Sequence, residues 1–146
     1  MVWGAMSSQG VGNLHFIDGI MTADTYCKIL DEHMLPTLKS LGRGALFQHD
    51  NDPKHSARLT SAFLKKKKVK VIEWPSMSPD INPIEHLWGV LKRKVEQRQP
   101  SSRSQLKEVI SEEWHLITAE TCSNFVNSMP RRLDAVLASK GGHTKY

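Results

Sequence analysis

Residues 45–55 decide the fold and read Ala-Leu-Phe-Gln-His-Asp-Asn-Asp-Pro-Lys-His. The first five form a run of strand length that passes from apolar to polar and leads directly into Asp50. Asp52 followed by Pro53 predicts a helix start, with Asp52 as the N-cap. A strand that ends on a carboxylate before a helix places Asp50 at the carboxyl edge of a sheet, where ligands bind in α/β proteins. The alternative is that Asp50 only shares turn and capping duties with Asp52.

Upstream of this stretch, the pattern predicts a hairpin and then a divided helix. Residues 2–6 and 12–17 read as two short strands around a turn, so we expect a hairpin over 2–17. Apolar residues spaced by three and four predict a helix from Thr22, which Pro36 should kink or divide. Because the chain reads as strand from its second residue, we expect it to begin inside a sheet.

Downstream of the stretch, strands and helices continue to alternate. We predict strand over 45–49 and over 69–73, a proline-punctuated loop, a helix from Pro83 and further helices over 102–139. The order β-β-α-β-α-β-α followed by helices indicates an α/β fold, with a mixed sheet flanked by helices. With 146 residues, the chain has room for one domain over 1–146.

Composition narrows the class of protein only slightly. Hydrophobic residues make up 39% and charged residues 24%, as in a folded rather than a disordered chain. The net charge of +5 suits a polyanionic partner but is a weak signal alone. Cys27 and Cys122 lack any paired pattern, so we expect two buried thiols in a reducing compartment. No apolar run reaches the roughly 18–20 residues that span a bilayer, so no membrane partner is expected.

Glu85 is the second candidate ligand. It lies three residues after Asn82, a capping-box position, and spacing alone favours capping as its role. It also lies one residue off the apolar stripe of its helix, which directs it toward the sheet edge. Two carboxylates that meet there can hold Mg²⁺ or Mn²⁺, and two such ions about 3.5–4 Å apart support phosphodiester chemistry.

Two segments resemble signatures of the Tc/mariner superfamily of DDE transposases, in its Sleeping Beauty-like branch. Residues 47–55 resemble the FQxDNDPKH signature, and residues 74–88, which read WPSMSPDINPIEHLW, resemble the WPSxSPDLNPIENLW segment. Between Asp50 and Glu85 lie 34 residues, a separation typical of that branch. The likeness runs from Val2 to Tyr146 and covers essentially the whole chain.

The resemblance implies a ribonuclease-H-like fold and cut-and-paste DNA transposition. In that family, Mg²⁺ or Mn²⁺ supports DNA cleavage and strand transfer at TA targets. Asp50 matches the second of three metal-binding carboxylates and Glu85 the third. The expected partners are DNA (transposon ends and TA target) and a second copy or a full-length transposase, and the expected location is the nucleus. The loop over 74–82 resembles a region of subunit and DNA contacts in relatives.

The family's first catalytic aspartate has no counterpart in this sequence. The acids upstream of Asp50 are Asp18, Asp24, Asp31 and Glu32, and none matches it. The helix-turn-helix region of the family is absent too. We therefore expect a fragment truncated at the N-terminus, without the first central strand, that binds metal weakly and is inactive alone. The alternatives are a domesticated remnant that binds DNA or transposase, and an incomplete gene model of an active enzyme.

Several basic residues are candidates for DNA contacts. They are Lys65, Lys66, Lys67, Lys68, Lys92, Arg93, Lys94 and Arg98. A basic helix end favoured by the helix dipole explains the first four equally well, and a solvated helix face explains the others.

The remaining polar and aromatic candidates have structural explanations that we favour. Asp52 is expected to cap its helix rather than bind metal. His49 and His55 flank the acids but lack the HxH or HExxH spacing of a metal hydrolase. The three tryptophans nearest the motifs are expected in the core rather than as platforms for bases, namely Trp74, Trp88 and Trp114.

Overall fold

The computed structural model describes residues 1–75, Ser78 and residues 81–140. Residues 76, 77, 79 and 80 of the predicted proline loop and the predicted loose tail over 141–146 lie outside the described residues. The chain divides into two compact units, Met1–Gly4 with Gly12–Met77, and Ala5–Val11 with Ser78–Tyr146.

The N-terminal hairpin consists of β1, Val2–Ser7, and β2, Gly10–Phe16, which form a two-stranded sheet. Its turn is closed by Ser7, whose hydroxyl accepts a hydrogen bond from the Gln9 amide at 3.1 Å. Gly10 has φ +128°, a conformation that only glycine adopts without strain. At the open end, the Ile17 amide donates to the Met1 carbonyl at 2.9 Å. These bonds fix the register of the hairpin.

Pro36 divides the following helix, as predicted. Helix α1, Ala23–Ile29, begins after Thr22, whose side chain accepts from the Thr25 amide. A π-helical turn over Leu30–Met34 comes next, and α2, Leu35–Leu41, carries Pro36 in its first turn. Proline has no N–H to donate one turn back, and the Leu35 amide instead reaches five residues back to Leu30. The helix ends at Gly42, with φ +89°.

The predicted strands over 45–49 and 69–73 are reduced to a single parallel bridge between Phe47 and Val71. The Phe47 amide donates to the Lys70 carbonyl at 2.8 Å, and the Ile72 amide donates to the Phe47 carbonyl at 2.9 Å. Among the described residues, neither segment pairs with the hairpin. The prediction of a mixed sheet is therefore wrong in extent, because two segments that share one pair of bonds do not make a ladder.

The predicted helix start at Asp52-Pro53 is also wrong. Helix α3 spans Arg58–Lys66, and its N-cap is Ala57, which makes no side-chain cap bond. The Asp52 carbonyl instead accepts from the amides of His55 and Ser56, at 2.8 and 3.0 Å. These bonds hold residues 52–56 as a turn that delays the helix.

The core of the first unit consists of buried side chains from α1, the π-helical turn and α3. Tyr26, Leu30, Met34 and Leu64 are each at most 5% exposed. Partly buried Trp3 from the hairpin and Phe47 from the bridged segment pack against this cluster, among others. The core therefore fixes the segment that ends at Asp50. Cys27 is a free, buried thiol, as predicted.

The described residues of the second unit form four helices: α4, Pro83–Arg98; α5, Arg103–His115; α6, Ala119–Asn127; and α7, Met129–Ala138. Ser102 caps α5 and Thr118 caps α6 through their hydroxyl groups. Leu87, Leu91 and Val95 recur every four residues on α4 and are buried.

Two further sequence predictions concern the second unit. Trp114 is fully buried and stacks on Trp88 with ring centroids 5.0 Å apart, so the core assignment of Trp114 is confirmed. Cys122 is a buried free thiol, as predicted. In the part of the chain that the structure describes, no helix combines the length and apolarity needed to cross a membrane.

Candidate metal centre

Asp50 lies in the tight turn that follows the bridged segment. Its Oδ1 accepts a hydrogen bond from the Asp52 amide at 3.1 Å and lies 2.6 Å from His55 Nδ1. Its side chain is 52% exposed, and Oδ2 has no partner within the described residues. One carboxylate oxygen is thus used to fix the side chain, and the other is available to a ligand.

Three rings pack against one another beside this carboxylate, and one of them, His55, contacts it. His55 lies against the Tyr26 ring at 4.1 Å and the His49 ring at 5.3 Å between centroids. The Tyr26 hydroxyl and His49 Nδ1 share a hydrogen bond of 3.0 Å. Burial, helped by the nearby charge of His55, lowers the pKa of His49 to about 4, although Asp50 opposes this. Burial also raises the pKa of Tyr26, so both rings are neutral at physiological pH.

The Asp52 carboxylate forms an ion pair with Lys54. The Asp52 carboxylate accepts from the Lys54 amide at 3.0 Å and lies 2.5 Å from the ammonium group. The hydrogen bond from the Lys54 ammonium lowers the pKa of Asp52. This ion pair replaces the predicted N-cap and leaves Asp52 poorly placed to act as an accessory ligand.

Two longer-range bonds anchor the turn. The Thr60 hydroxyl, fully buried on α3, donates to the Lys54 carbonyl at 2.7 Å. The Asn51 side chain donates to the Trp74 carbonyl at 2.7 Å, which joins the two sequence signatures. Beside this bond is a shallow depression of about 320 Å³ lined by His49, Asn51, Val71, Ile72, Glu73 and Trp74. Trp74 is half-buried there rather than part of the core.

Glu85 lies in the first turn of α4 and is exposed. Its amide donates to the Asn82 carbonyl at 3.2 Å, but its carboxylate makes no hydrogen bond or ion pair in the described part of the chain. The capping explanation for Glu85 is therefore wrong, because the return bond of a capping box is not formed. The carboxylate is left free at the N-terminal end of a helix.

The donor set fits a hard divalent cation. Asp50 and Glu85 each offer an uncommitted carboxylate oxygen, and Mg²⁺ is commonly held by one or two carboxylates, with water and substrate phosphates completing its shell. Within residues 1–75, 78 and 81–140, no cluster of three or more potential metal-binding side chains occurs. Each of these carboxylates is therefore a donor of the kind that such an ion accepts, and neither would complete its coordination shell.

The basic candidates differ in whether they already form ion pairs with acidic residues of this chain. Arg98 bonds both Glu112 and Glu113 on α5, at 2.8 and 2.9 Å, and Lys94 lies 3.6 Å from Glu113. Lys67 pairs with Asp31 at 2.5 Å. Lys92 lies 3.9 Å from Glu96 on the exposed face of α4. The remaining four are exposed and form no ion pair among the described residues, namely Lys65, Lys66, Lys68 and Arg93.

The cluster of Tyr26, His49 and His55 is not predicted by the sequence pattern. The sequence places His55 in the motif over residues 47–55 and Tyr26 in the predicted helix from Thr22, and no spacing rule brings the two together. The available signal was the closeness of His55 to Asp50, five residues apart, which a tight turn brings together. Nothing in the sequence pattern connects Tyr26 with His49, because 22 residues separate them.

Comparison with known proteins assigns the family. The family model of the DDE superfamily endonucleases matches residues 1–107. The chain therefore belongs to the DDE superfamily endonucleases, and the Tc/mariner resemblance of its motifs is confirmed. The transposable element Tc1 transposase of Caenorhabditis elegans is 38% identical over 147 residues, which cover all of this chain and 54% of that protein. The chain thus spans about half the length of the curated relatives it matches.

Solved structures give the same fold. The Mos1 transposase catalytic domain with raltegravir and Mg has a TM-score of 0.84 at 19% identity, covering 99% of this chain and 76% of that one. The Mos1 transposase paired-end complex with left transposon end has a TM-score of 0.87 at 23% identity, covering 99% and 44%. These matches establish an α/β fold of the kind found in that catalytic domain, which is ribonuclease-H-like.

Proposed function

We propose that Asp50 and Glu85 are two ligands of a divalent metal centre that cleaves and joins DNA in a Tc/mariner-type transposase. The observation that supports the proposal is that both carboxylates have oxygens available to a metal ion. Each lies at its motif position, and each leaves at least one oxygen uncommitted among the described residues. Mg²⁺ or Mn²⁺ is the proposed ion, in keeping with the Mos1 structure that contains Mg.

The bound ion would polarise the phosphate and lower the pKa of the attacking oxygen nucleophile. The contribution of this chain is to hold the two carboxylates. The turn over 50–56 fixes Asp50 through the Asp52 amide and His55, and the first turn of α4 presents Glu85.

We propose DNA as the partner, specifically transposon ends and a TA target, and the nucleus as the location. The support is the exposed basic groups without ion pairs and the Mos1 complex with a left transposon end. Lys65, Lys66 and Lys68 at the end of α3 and Arg93 on α4 are the strongest candidates, followed by Lys92, which lies 3.9 Å from Glu96. Lys67, Lys94 and Arg98 are weaker candidates, because each is within 3.6 Å of a carboxylate of this chain.

We also propose that residues 1–146 alone do not excise a transposon. The motifs supply two carboxylates of the three that the family uses, so one ligand has to come from elsewhere. A plasmid excision assay with Mg²⁺ should give no product, whereas excision by this chain would contradict that part of the proposal.

Mn²⁺ binding tests the metal ligands. Electron paramagnetic resonance of free Mn²⁺ should show that Asp50→Asn and Glu85→Gln each raise the Kd for Mn²⁺ about tenfold or more. Matched controls are Asp134→Asn and Glu120→Gln, which remove exposed carboxylates on other helices and should leave the Kd unchanged. Equal effects of the controls and the two site variants would refute the assignment.

A further inference from the structure

The Asp50 carboxylate is held by an asymmetric pair of contacts. Both the Asp52 amide and His55 Nδ1 meet the same oxygen, Oδ1, at 3.1 and 2.6 Å. A carboxylate can only accept hydrogen bonds, so the proton between His55 and Asp50 is carried on Nδ1 of the imidazole. Oδ2 is left without a partner in the described residues. Oδ1 therefore binds groups of the same turn, and Oδ2 is available to a ligand.

The His55 ring is fixed in turn by a path that leads to the core. Its side chain is only 15% exposed and lies against the rings of Tyr26 and His49. Tyr26 is 1% exposed and packs with Leu30 and the other core residues of the first unit. The hydrogen bond between Tyr26 and His49 joins the two neighbours of His55 to each other. The imidazole has little freedom to turn its Nδ1 away from Asp50.

We propose that His55 is a positioning residue: it fixes the rotamer of Asp50 so that Oδ2 faces the metal ion, and Tyr26 and His49 fix His55. The inference rests on the proposed function, because it requires Asp50 to be a metal ligand. A ligand held in its binding rotamer loses less side-chain entropy when the ion binds. Mg²⁺ is sensitive to such positioning because it requires near-octahedral geometry.

Two substitutions separate the hydrogen bond from ring packing. His55→Asn can place an amide N–H near the position of Nδ1 but removes the ring. His55→Phe keeps a ring against Tyr26 and removes the donor. If His55 acts through its hydrogen bond, His55→Phe raises the Kd for Mn²⁺ about tenfold to a hundredfold, and His55→Asn stays within about threefold of wild type. The reverse order would show that His55 serves only packing and would overturn the proposal.

The experiment uses the full 146-residue chain and Mn²⁺ alone as the probe, with circular dichroism to compare folding. His115→Phe is the control, because the His115 side chain bonds the Ser111 carbonyl of its own helix and no other described residue, and the Kd of this variant should equal that of wild type. Asp50→Asn separates the proposed metal-ligand role of Asp50 from the proposed positioning role of His55. If Asp50→Asn weakens Mn²⁺ binding and His55→Phe does not, the positioning role fails and the metal ligand stands. If Asp50→Asn has no effect, or wild type binds no Mn²⁺, the proposed function fails, and the positioning role fails with it.

A second measurement needs no metal and remains informative if a variant unfolds. The ¹⁵N chemical shifts of the His55 imidazole report which nitrogen carries the proton. We expect a proton on Nδ1 in the wild-type chain, in contact with Asp50. A neutral ring protonated only on Nε2 could not donate to Oδ1 and would overturn the proposal.

Discussion

His33 connects the burial of one side chain with the pH dependence of stability. Its Nε2 lies 3.1 Å from His15 Nδ1, and its own Nδ1 is buried without a partner among the described residues. Burial and, second, the neighbouring His15 lower the pKa of His33, and Glu32 only partly opposes them. His49 has a pKa lowered to about 4 for similar reasons. Both rings therefore resist protonation more strongly in the folded chain than in the unfolded one.

The sign of the pH effect follows from this difference. Below about pH 6.5 the unfolded chain binds more protons on these histidines than the folded chain does, so stability is lost as the pH falls below that value. We predict that the free energy of unfolding falls less between about pH 7 and about pH 5 in His33→Phe than in wild type. Urea unfolding at the two pH values measures it. A variant with the same loss as wild type would contradict the contribution of His33.

At the scale of elements, the turn over 50–56 depends on α3 through one buried hydroxyl. Thr60 is fully buried and donates to the Lys54 carbonyl at 2.7 Å. Thr60→Val keeps the shape but removes the donor, and we predict a loss of about 1–2 kcal/mol in the free energy of unfolding. Ser61→Ala, on the exposed side of the same helix, should change it by less than about 0.5 kcal/mol. Equal losses, measured by urea unfolding, would mean that the bond does not stabilise the turn.

The elements also show what the sequence could predict. Turn residues and prolines in the sequence correctly predict the hairpin turn with Gly10, the division of the helix at Pro36 and the helix that begins at Pro83. The predicted strands over 45–49 and 69–73 are longer than the single bridge that forms. A β-branched pattern shows that a segment favours the extended conformation, but it does not show whether a neighbouring segment pairs with it. The start of α3 was misplaced because the Asp52 carboxylate bonds Lys54 rather than capping a helix. Such competing side-chain bonds depend on three-dimensional geometry that residue spacing does not contain.

For the candidate site, the motifs located Asp50 and Glu85, but not the groups that hold them. The spacing rule assigned Glu85 to a capping box, and the structure leaves its carboxylate free. The Tyr26–His49 hydrogen bond joins residues far apart in the chain, so only the packed core brings them together. The sequence motifs therefore suffice to propose the two ligands, whereas the contacts that hold Asp50 are visible only in the tertiary structure.

At the scale of the whole molecule, the net charge of +5 matters through the few basic groups that are free to contact phosphates. The logarithm of DNA affinity should fall linearly with the logarithm of salt concentration. Replacing Lys65, Lys66 and Lys68 by alanine should lower that slope by about 2–3, since each lost phosphate contact contributes about 0.9. Fluorescence anisotropy with duplex DNA at several salt concentrations measures it.

A charge-matched control separates contacts from net charge. It replaces three basic residues of the same unit by alanine, namely Lys28, Lys39 and Arg43. The control changes the net charge equally but should leave the salt slope nearly unchanged. Identical slopes in the two triple variants would show that DNA responds to overall charge and not to the end of α3.

The central claim is that Asp50 and Glu85 serve the same metal ion, and a double-mutant cycle in Mn²⁺ affinity tests it most directly. The Kd for Mn²⁺ is measured for wild type, Asp50→Asn, Glu85→Gln and the double variant, under one set of conditions. If both carboxylates hold one ion, each single substitution removes most of the affinity, and the double variant is weaker than either by much less than the product of the two effects. Effects that multiply fully, or a single variant that binds Mn²⁺ like wild type, would contradict a shared ion.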